Sequence, residues 1–278
     1  MPGPILGVFD SGFGGLTVLR ALLPLIPEAR YIYLGDTARL PYGAKSRETI
    51  ARYAVSSARF LESRGAELLV IACNTATALA LPDIERAVGV PVIGVVDPGA
   101  QAAYAAAGDA GEVLVLATAA TVQSHAYREA CASLGLHATE VACPLLVPLV
   151  EEGWTDHHVT REVLRIYLTA ALEQCSPGAV LLGCTHYPLI APEIERTLRD
   201  LGSPARVIDS AHVTAKTVAA HFGHSTVKPD TEAKVTFQCF ATDSTEKFRR
   251  LGSLFLTHPI DNVVHLDLDA MKGFTEGF

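Results

Sequence analysis

Short apolar runs alternate along most of the chain with longer segments whose apolar residues recur at helical spacing. The runs are rich in Val, Ile and Leu at consecutive positions, which is typical of strands buried on both faces of a parallel sheet. They lie at Ile5–Phe9, Tyr31–Leu34, Leu68–Ala72, Val92–Val96, Val113–Ala117, Val180–Leu182 and Arg206–Ile208. This alternation predicts an α/β protein built on parallel sheets.

Nearly every predicted strand is followed by small polar residues. Ligands of parallel α/β sheets bind at the carboxyl ends of the strands, so these positions are where we expect functional groups. They are Asp10-Ser11-Gly12, Gly35-Asp36-Thr37, Cys73-Asn74-Thr75, Asp97-Pro98-Gly99, Thr118-Ala119-Ala120, Cys184-Thr185-His186 and Asp209-Ser210.

Two strand ends resemble each other. The run from Leu69 to Thr75 and the run from Val180 to His186 each bring a cysteine and then hydroxyl-bearing residues to the end of an apolar strand. We therefore predict two similar doubly wound parallel-sheet domains related by pseudo-symmetry, with the active site in the cleft between them. The first would comprise residues 1–97 plus 210–278, and the second residues 98–209.

The composition narrows the class of partner. Of the 278 residues, 49% are hydrophobic, which is enough for a substantial core. The formal net charge is -8 and no dense Lys/Arg cluster occurs, so we expect a small-molecule partner and no nucleic acid. No apolar run is long enough to span a membrane, and residues 1–4 lack the basic start of a signal peptide, so we expect a cytoplasmic protein without membrane contact.

Two strand-end thiols suit one reaction type in particular. Of the six cysteines, none forms a C-x-x-C pair, so we expect no metal site. Cys73 and Cys184, facing each other across a cleft, could remove a proton from one face of a carbon and return a proton to the opposite face. One thiol must act as thiolate base while the other stays protonated as acid, and the product is the mirror image of the substrate.

No cofactor signature accompanies these thiols. The Gly-rich turn that follows Asp10 lacks the G-x-G-x-x-G spacing of dinucleotide sites, and no phosphate-binding loop motif occurs. We interpret the turn as an anion-binding site for a carboxylate, with Asp10 close to an ammonium group or a proton. No lysine lies in a strand-end motif, so pyridoxal phosphate would have no anchor, and we expect no cofactor.

At this point five motifs carry a resemblance to a known family. They are Asp10-Ser11-Gly12-x-Gly14-Gly15, Gly35-Asp36-Thr37-Ala38-Arg39-x-Pro41-Tyr42-Gly43, Cys73-Asn74-Thr75-Ala76-Thr77, Cys143-Pro144 with Val147 to Gly153, and Gly183-Cys184-Thr185-His186-Tyr187-Pro188. Together, from about Ile5 to Ile208, they resemble the glutamate racemases of the cofactor-independent aspartate/glutamate racemase superfamily.

The resemblance implies an isomerase that interconverts L- and D-glutamate and supplies D-glutamate for peptidoglycan, active as a homodimer. It implies that Cys73 takes the α-proton from D-glutamate and Cys184 from L-glutamate. Asp10 beside Cys73, His186 beside Cys184, and Glu152 would be auxiliary catalytic residues. The groups that hold the substrate would be Ser11, Tyr42, Gly43, Asn74, Thr75, Thr118, Thr121 and Thr185.

Three alternatives stay open at this level. The chain could racemise aspartate or a hydantoin, or it could be a decarboxylase that uses a single cysteine, although a decarboxylase would need only one of the two thiols. It could also be a two-lobed binding protein whose thiols are inert, and such a protein would bind glutamate without exchanging its α-proton.

Overall fold

The computed structural model describes residues 3–108, 111–223 and 236–274. Within these ranges the strands form two sheets, and every pairing between neighbouring strands is parallel. The strands are β1 (Ile5–Asp10), β2 (Arg30–Gly35), β3 (Leu68–Ile71), β4 (Val92–Gly94), β5 (Glu112–Ala117), β6 (His137–Ala142), β7 (Ala179–Gly183), β8 (Arg206–Asp209), β9 (Thr236–Ala241) and β10 (Val263–His265).

Helices connect successive strands, as parallel pairing requires. They are α1 (Leu16–Leu22), α2 (Arg47–Ser63), α3 (Asn74–Ala87), α4 (Val96–Ala107), α5 (Ala119–Ser124), α6 (Ala126–Ser133), α7 (Leu146–Glu151), α8 (His158–Leu172), α9 (Ala191–Asp200), α10 (Ser210–His221) and α11 (Thr245–Leu256). None of the helices in the described ranges combines the length and the apolar character needed to cross a bilayer.

The two sheets repeat one strand order. The first sheet runs β10-β9-β2-β1-β3-β4 and the second runs β6-β5-β7-β8. In each half the first strand is flanked by the second and third, and the fourth lies beyond the third, so β1 corresponds to β5 and β3 corresponds to β7. The predicted fold class, with two similar parallel-sheet halves, is confirmed. The predicted domain limits stay a prediction: the limit at 97/98 falls in the first turn of α4, and residues 1 and 278 lie outside the described ranges.

The strand register brings the polar strand ends together. Phe9 pairs with Ile71, so Ser11 and Cys73 leave the first sheet at the same edge. Ala117 pairs with Gly183 in the second sheet, so Thr118 and Cys184 emerge side by side. One apolar core extends over residues from both sheets, which fixes the halves against each other.

Local differences from the sequence expectations have simple physical causes. The predicted strand Val92–Val96 stops at Gly94, and α4 begins at Val96 because Pro98 is tolerated in the first turn of a helix. A helix begins directly after Cys73, as expected, but none begins directly after Cys184. There the chain makes a 3-10 turn over Tyr187–Ile190, and α9 starts only at Ala191.

Candidate active site

A single cavity of about 690 Å³ lies where the carboxyl-end loops of the two sheets meet. Both Cys73 and Cys184 line it. It is also lined by Ser11, Tyr42, Gly43, Asn74, Thr75, Thr118, Glu152, Thr185 and His186, all of which were expected from the sequence. The other two predicted residues, Asp10 and Thr121, are buried next to the lining residues rather than in the cavity wall.

Cys73 is the N-cap of α3, with its side chain held on two sides. Its Sγ accepts from the backbone N–H of Ala76 at 3.5 Å and donates to the Ser11 hydroxyl at 3.4 Å. Burial, together with the negative charge of Asp10, raises the pKa of Cys73 to about 12. Cys73 is therefore a protonated thiol, ready to act as an acid, when the cavity holds no substrate.

Asp10 lies at the end of β1 in the Gly-rich turn, where it is almost fully buried. Its Oδ2 accepts from the backbone N–H of Gly12 at 2.7 Å. Burial raises the pKa of Asp10, while the charge of His186 and the backbone donors of the turn act in the opposite direction. Asp10 thus has charge contacts towards both Cys73 and His186, which were expected on opposite sides of the substrate.

His186 links Cys184 to a carboxylate. Its Nδ1 lies 3.9 Å from Cys184 Sγ, and its Nε2 lies 3.1 Å from Glu151 Oε1. Burial acts to lower the pKa of His186, but the hydrogen bonds with Cys184 and Glu151 outweigh it and raise that pKa to about 10. An imidazolium therefore lies beside Cys184 at neutral pH, and such a charge favours the thiolate form of a cysteine.

The carboxylate in contact with His186 belongs to Glu151, not to Glu152. Glu151 is the last residue of α7 and is partly buried. Burial acts to raise the pKa of Glu151, but the hydrogen bond and charge of His186 outweigh it and lower that pKa. Glu152 also lines the cavity but is exposed. The adjacent Glu151 is thus the acidic residue with the geometry of an auxiliary group.

Three threonine hydroxyls form a closed hydrogen-bonded triangle across the two halves. Thr75 Oγ1 lies 3.0 Å from Thr118 Oγ1 and 3.2 Å from Thr121 Oγ1, and the last two atoms are 2.9 Å apart. Thr118 is also the N-cap of α5, accepting from the Thr121 backbone N–H at 3.4 Å. The triangle fixes a cluster of small donors at the cavity wall, which suits an anionic ligand in a site without a buried basic residue.

The loop after β2 closes another side of the cavity. The Tyr42 hydroxyl donates to Asp36 Oδ2 at 2.5 Å, so it is already committed inside the protein. Asp36 in turn accepts from Thr242 Oγ1 at 2.9 Å. A Cβ at Gly43 would lie 3.2 Å from Thr118 Cβ, so the glycine allows close approach of this loop to the other half. Tyr42 contributes cavity wall rather than a free hydroxyl donor.

Some cavity residues were not identified from the sequence. Besides Glu151, they include Lys45 and Lys247, which bring positive charge to the cavity lining. Lys45 was interpreted as a surface residue, although it follows the quoted Pro41-Tyr42-Gly43 motif directly. Lys247 comes from α11, in a C-terminal segment that carries no recognisable motif, and its charge adds to the lowering of the Glu151 pKa.

The arrangement is suited to moving a proton across a carbon atom. A protonated thiol on one half and a thiol beside an imidazolium on the other half share one cavity. The hydroxyls of the triangle and the backbone N–H groups at the strand ends can bind carboxylates. Such a cavity provides an acid, a base and anion-binding donors from the chain's own side chains.

Comparison with known proteins agrees with this chemistry. Residues 17–218 match the model of the Asp/Glu/hydantoin racemase family. A glutamate racemase of Koribacter versatilis is 52% identical, with 95% of this chain and 98% of that protein covered.

Two crystal structures of glutamate racemases also superpose over nearly the whole chain. The Francisella tularensis enzyme in complex with D-glutamate gives a TM-score of 0.85 at 32% identity, covering 97% of this chain and 100% of that one. The Thermus thermophilus enzyme in complex with β-chloro-D-alanine gives a TM-score of 0.83 at 40% identity, covering 97% and 99%.

Proposed function

The chain belongs to the Asp/Glu/hydantoin racemase family, and from this premise we propose that it is a glutamate racemase that uses Cys73 and Cys184 as a pair of acid–base groups. The observation that carries the proposal is the position of the two thiols. They follow equivalent strands, β3 and β7, of two sheets with the same strand order, and they line one cavity.

In the direction from L- to D-glutamate, the Cys184 thiolate removes the α-proton. The negative charge that develops on the α-carbon and its carboxylate is stabilised by hydroxyl and backbone donors. The Cys73 thiol then gives its proton to the opposite face of the carbon, which leaves Cys73 as thiolate and Cys184 as thiol. The reverse direction exchanges the two roles, as microscopic reversibility requires.

The charges around the empty cavity support this assignment of roles. The imidazolium of His186 favours a Cys184 thiolate, and burial keeps Cys73 protonated. The free enzyme is therefore prepared to accept L-glutamate. For D-glutamate, the substrate's ammonium group would bring positive charge close to Cys73, and a nearby positive charge lowers a thiol pKa.

The substrate-holding roles follow the same logic. Ser11, Asn74, Thr75, Thr118 and Thr185 line the cavity, and Thr121 supports two of these hydroxyls from behind. We assign Gly43 and Tyr42 to the wall that encloses the substrate. The supply of D-glutamate for peptidoglycan, a cytoplasmic location and a homodimer are predictions that rest on the family resemblance.

Proton NMR in D2O tests the proposal. The purified, chelator-treated protein is incubated separately with L-glutamate and L-aspartate, and circular dichroism is followed in parallel. Loss of the glutamate α-proton signal together with decay of optical activity is the expected result. The same result with aspartate alone would change the substrate assignment, and no exchange with either by the folded protein would favour a binding protein.

A further inference from the structure

Tyr127 is a fully buried tyrosine of the second half whose hydroxyl reaches into the first half. It lies in α6, within the apolar cluster on one face of the second sheet. Its ring lies against two glycines. A Cβ at Gly183 would approach the ring Cε2 to 3.0 Å, and a Cβ at Gly99 would approach Cε1 to 3.3 Å. The ring is thus held firmly beside the residue that precedes Cys184.

The Tyr127 hydroxyl donates to Asn74 Oδ1 at 2.5 Å. Asn74 directly follows Cys73 and begins α3, so this hydrogen bond joins the backbone segments of both catalytic thiols. Burial raises the pKa of Tyr127, so the phenol stays neutral and keeps its donor proton. The bond therefore has a defined direction, from the tyrosine O–H to the amide oxygen.

The other end of the Asn74 amide is free for a ligand. Asn74 is only 2% exposed, and it lines the cavity. Its Nδ2 is buried and has no hydrogen-bond partner among the residues that the structure describes. A buried donor without a partner is unfavourable, so an acceptor that enters the cavity gains a hydrogen bond that the empty protein lacks.

We propose that Tyr127 is a positioning residue that holds the Asn74 amide with its oxygen turned into the protein and its N–H groups turned towards the substrate. This inference rests on the proposed function, because the acceptor is a carboxylate of glutamate. Without the hydroxyl, the amide can turn over and present its oxygen to the anionic substrate. Tyr127 thus contributes to substrate binding from a place where it does not touch the substrate.

The test is the steady-state kinetics of Tyr127→Phe with L- and D-glutamate. We expect KM to rise about tenfold, equivalent to about 1.4 kcal/mol. We expect kcat to change less than about threefold, because the amide holds the substrate in the ground state and the transition state alike. Tyr31→Phe is the matched control. It removes another buried hydroxyl, which donates to Ile26 O at 2.8 Å away from the cavity, so KM should stay unchanged while stability falls.

A double-variant cycle separates positioning from a general structural effect. If Tyr127 acts through Asn74, then Tyr127→Phe raises KM no further in an Asn74→Ala background. An undiminished further rise in that background, or a wild-type KM in the folded Tyr127→Phe variant, overturns the inference. Should Tyr127→Phe not fold, Asn74→Ala alone decides: an unchanged KM overturns the inference and a raised one supports it. Absence of racemisation by the wild-type protein would refute the proposed function itself.

Discussion

Replacing Glu151 with Gln should move the alkaline limit of activity to lower pH. The substitution keeps the size of the side chain and one acceptor oxygen, but it removes the negative charge 3.1 Å from His186 Nε2. At that distance two unit charges interact by about 5 kcal/mol at an effective dielectric constant of about 20. The Glu151 side chain is 24% exposed and the Gln oxygen still accepts, so we take about 2 kcal/mol as the loss, or about 1.5 pKa units.

The sign of the effect follows from the protonation state that activity needs. His186 must be protonated to favour the Cys184 thiolate, and its pKa is raised to about 10 in the intact site. In the variant that pKa would be about 8.5. The protonated fraction, and with it kcat/KM for L-glutamate, would then fall about eightfold near pH 9.5 and hardly at all near pH 7.

The assay is the pH profile of kcat/KM for L-glutamate, followed by circular dichroism. Glu152→Gln is the matched control, because it removes a neighbouring carboxylate from the same cavity and leaves the Glu151–His186 pair intact. We expect its alkaline limit to stay near that of the wild type. An unshifted limit in Glu151→Gln, with a shifted one in Glu152→Gln, would refute the assignment of the auxiliary role to Glu151.

Two further substitutions test the packing that supports the site. Gly14→Ala should lower kcat/KM at least about tenfold with the fold retained by circular dichroism, because its Cβ would lie 2.6 Å from His186 Nδ1 and force the imidazole away from the thiol; normal kcat/KM would show that the imidazole position does not matter. Leu164→Ala should reduce the free energy of unfolding by about 2–5 kcal/mol in denaturant titrations, since the side chain is fully buried in the second half. Ile166→Ala, in the same helix but 67% exposed, is its control and should change stability by less than about 0.5 kcal/mol. Equal losses in the two variants would contradict the core assignment.

The fold was largely predictable because its central strands are buried on both faces. Consecutive apolar residues in β3 and β7, each followed by a cysteine, were enough to predict two related halves. Three strands escaped prediction: His137–Ala142, Thr236–Ala241 and Val263–His265. Two of them are edge strands, β6 and β10, and the outer half of the third is partly exposed, so none has a continuous apolar run.

The site was predictable where a residue's role follows from its place at a strand end. Thr118 and Cys184 follow neighbouring strands, and their register brings them together. The choice between Glu151 and Glu152 was not predictable, because one residue at the end of a helix turns the side chain by about 100°. Tyr127 had no local signal either, since its contact with Asn74 exists only when the two halves are packed together.

The most direct test of the two-thiol account is α-proton exchange of each glutamate enantiomer in D2O with the folded Cys73→Ser and Cys184→Ser variants. The account predicts that Cys73→Ser exchanges the α-proton of L-glutamate but not of D-glutamate, that Cys184→Ser does the reverse, and that neither variant racemises at the wild-type rate. Exchange of both enantiomers by one single variant, or racemisation at the wild-type rate after the loss of either thiol, would contradict it.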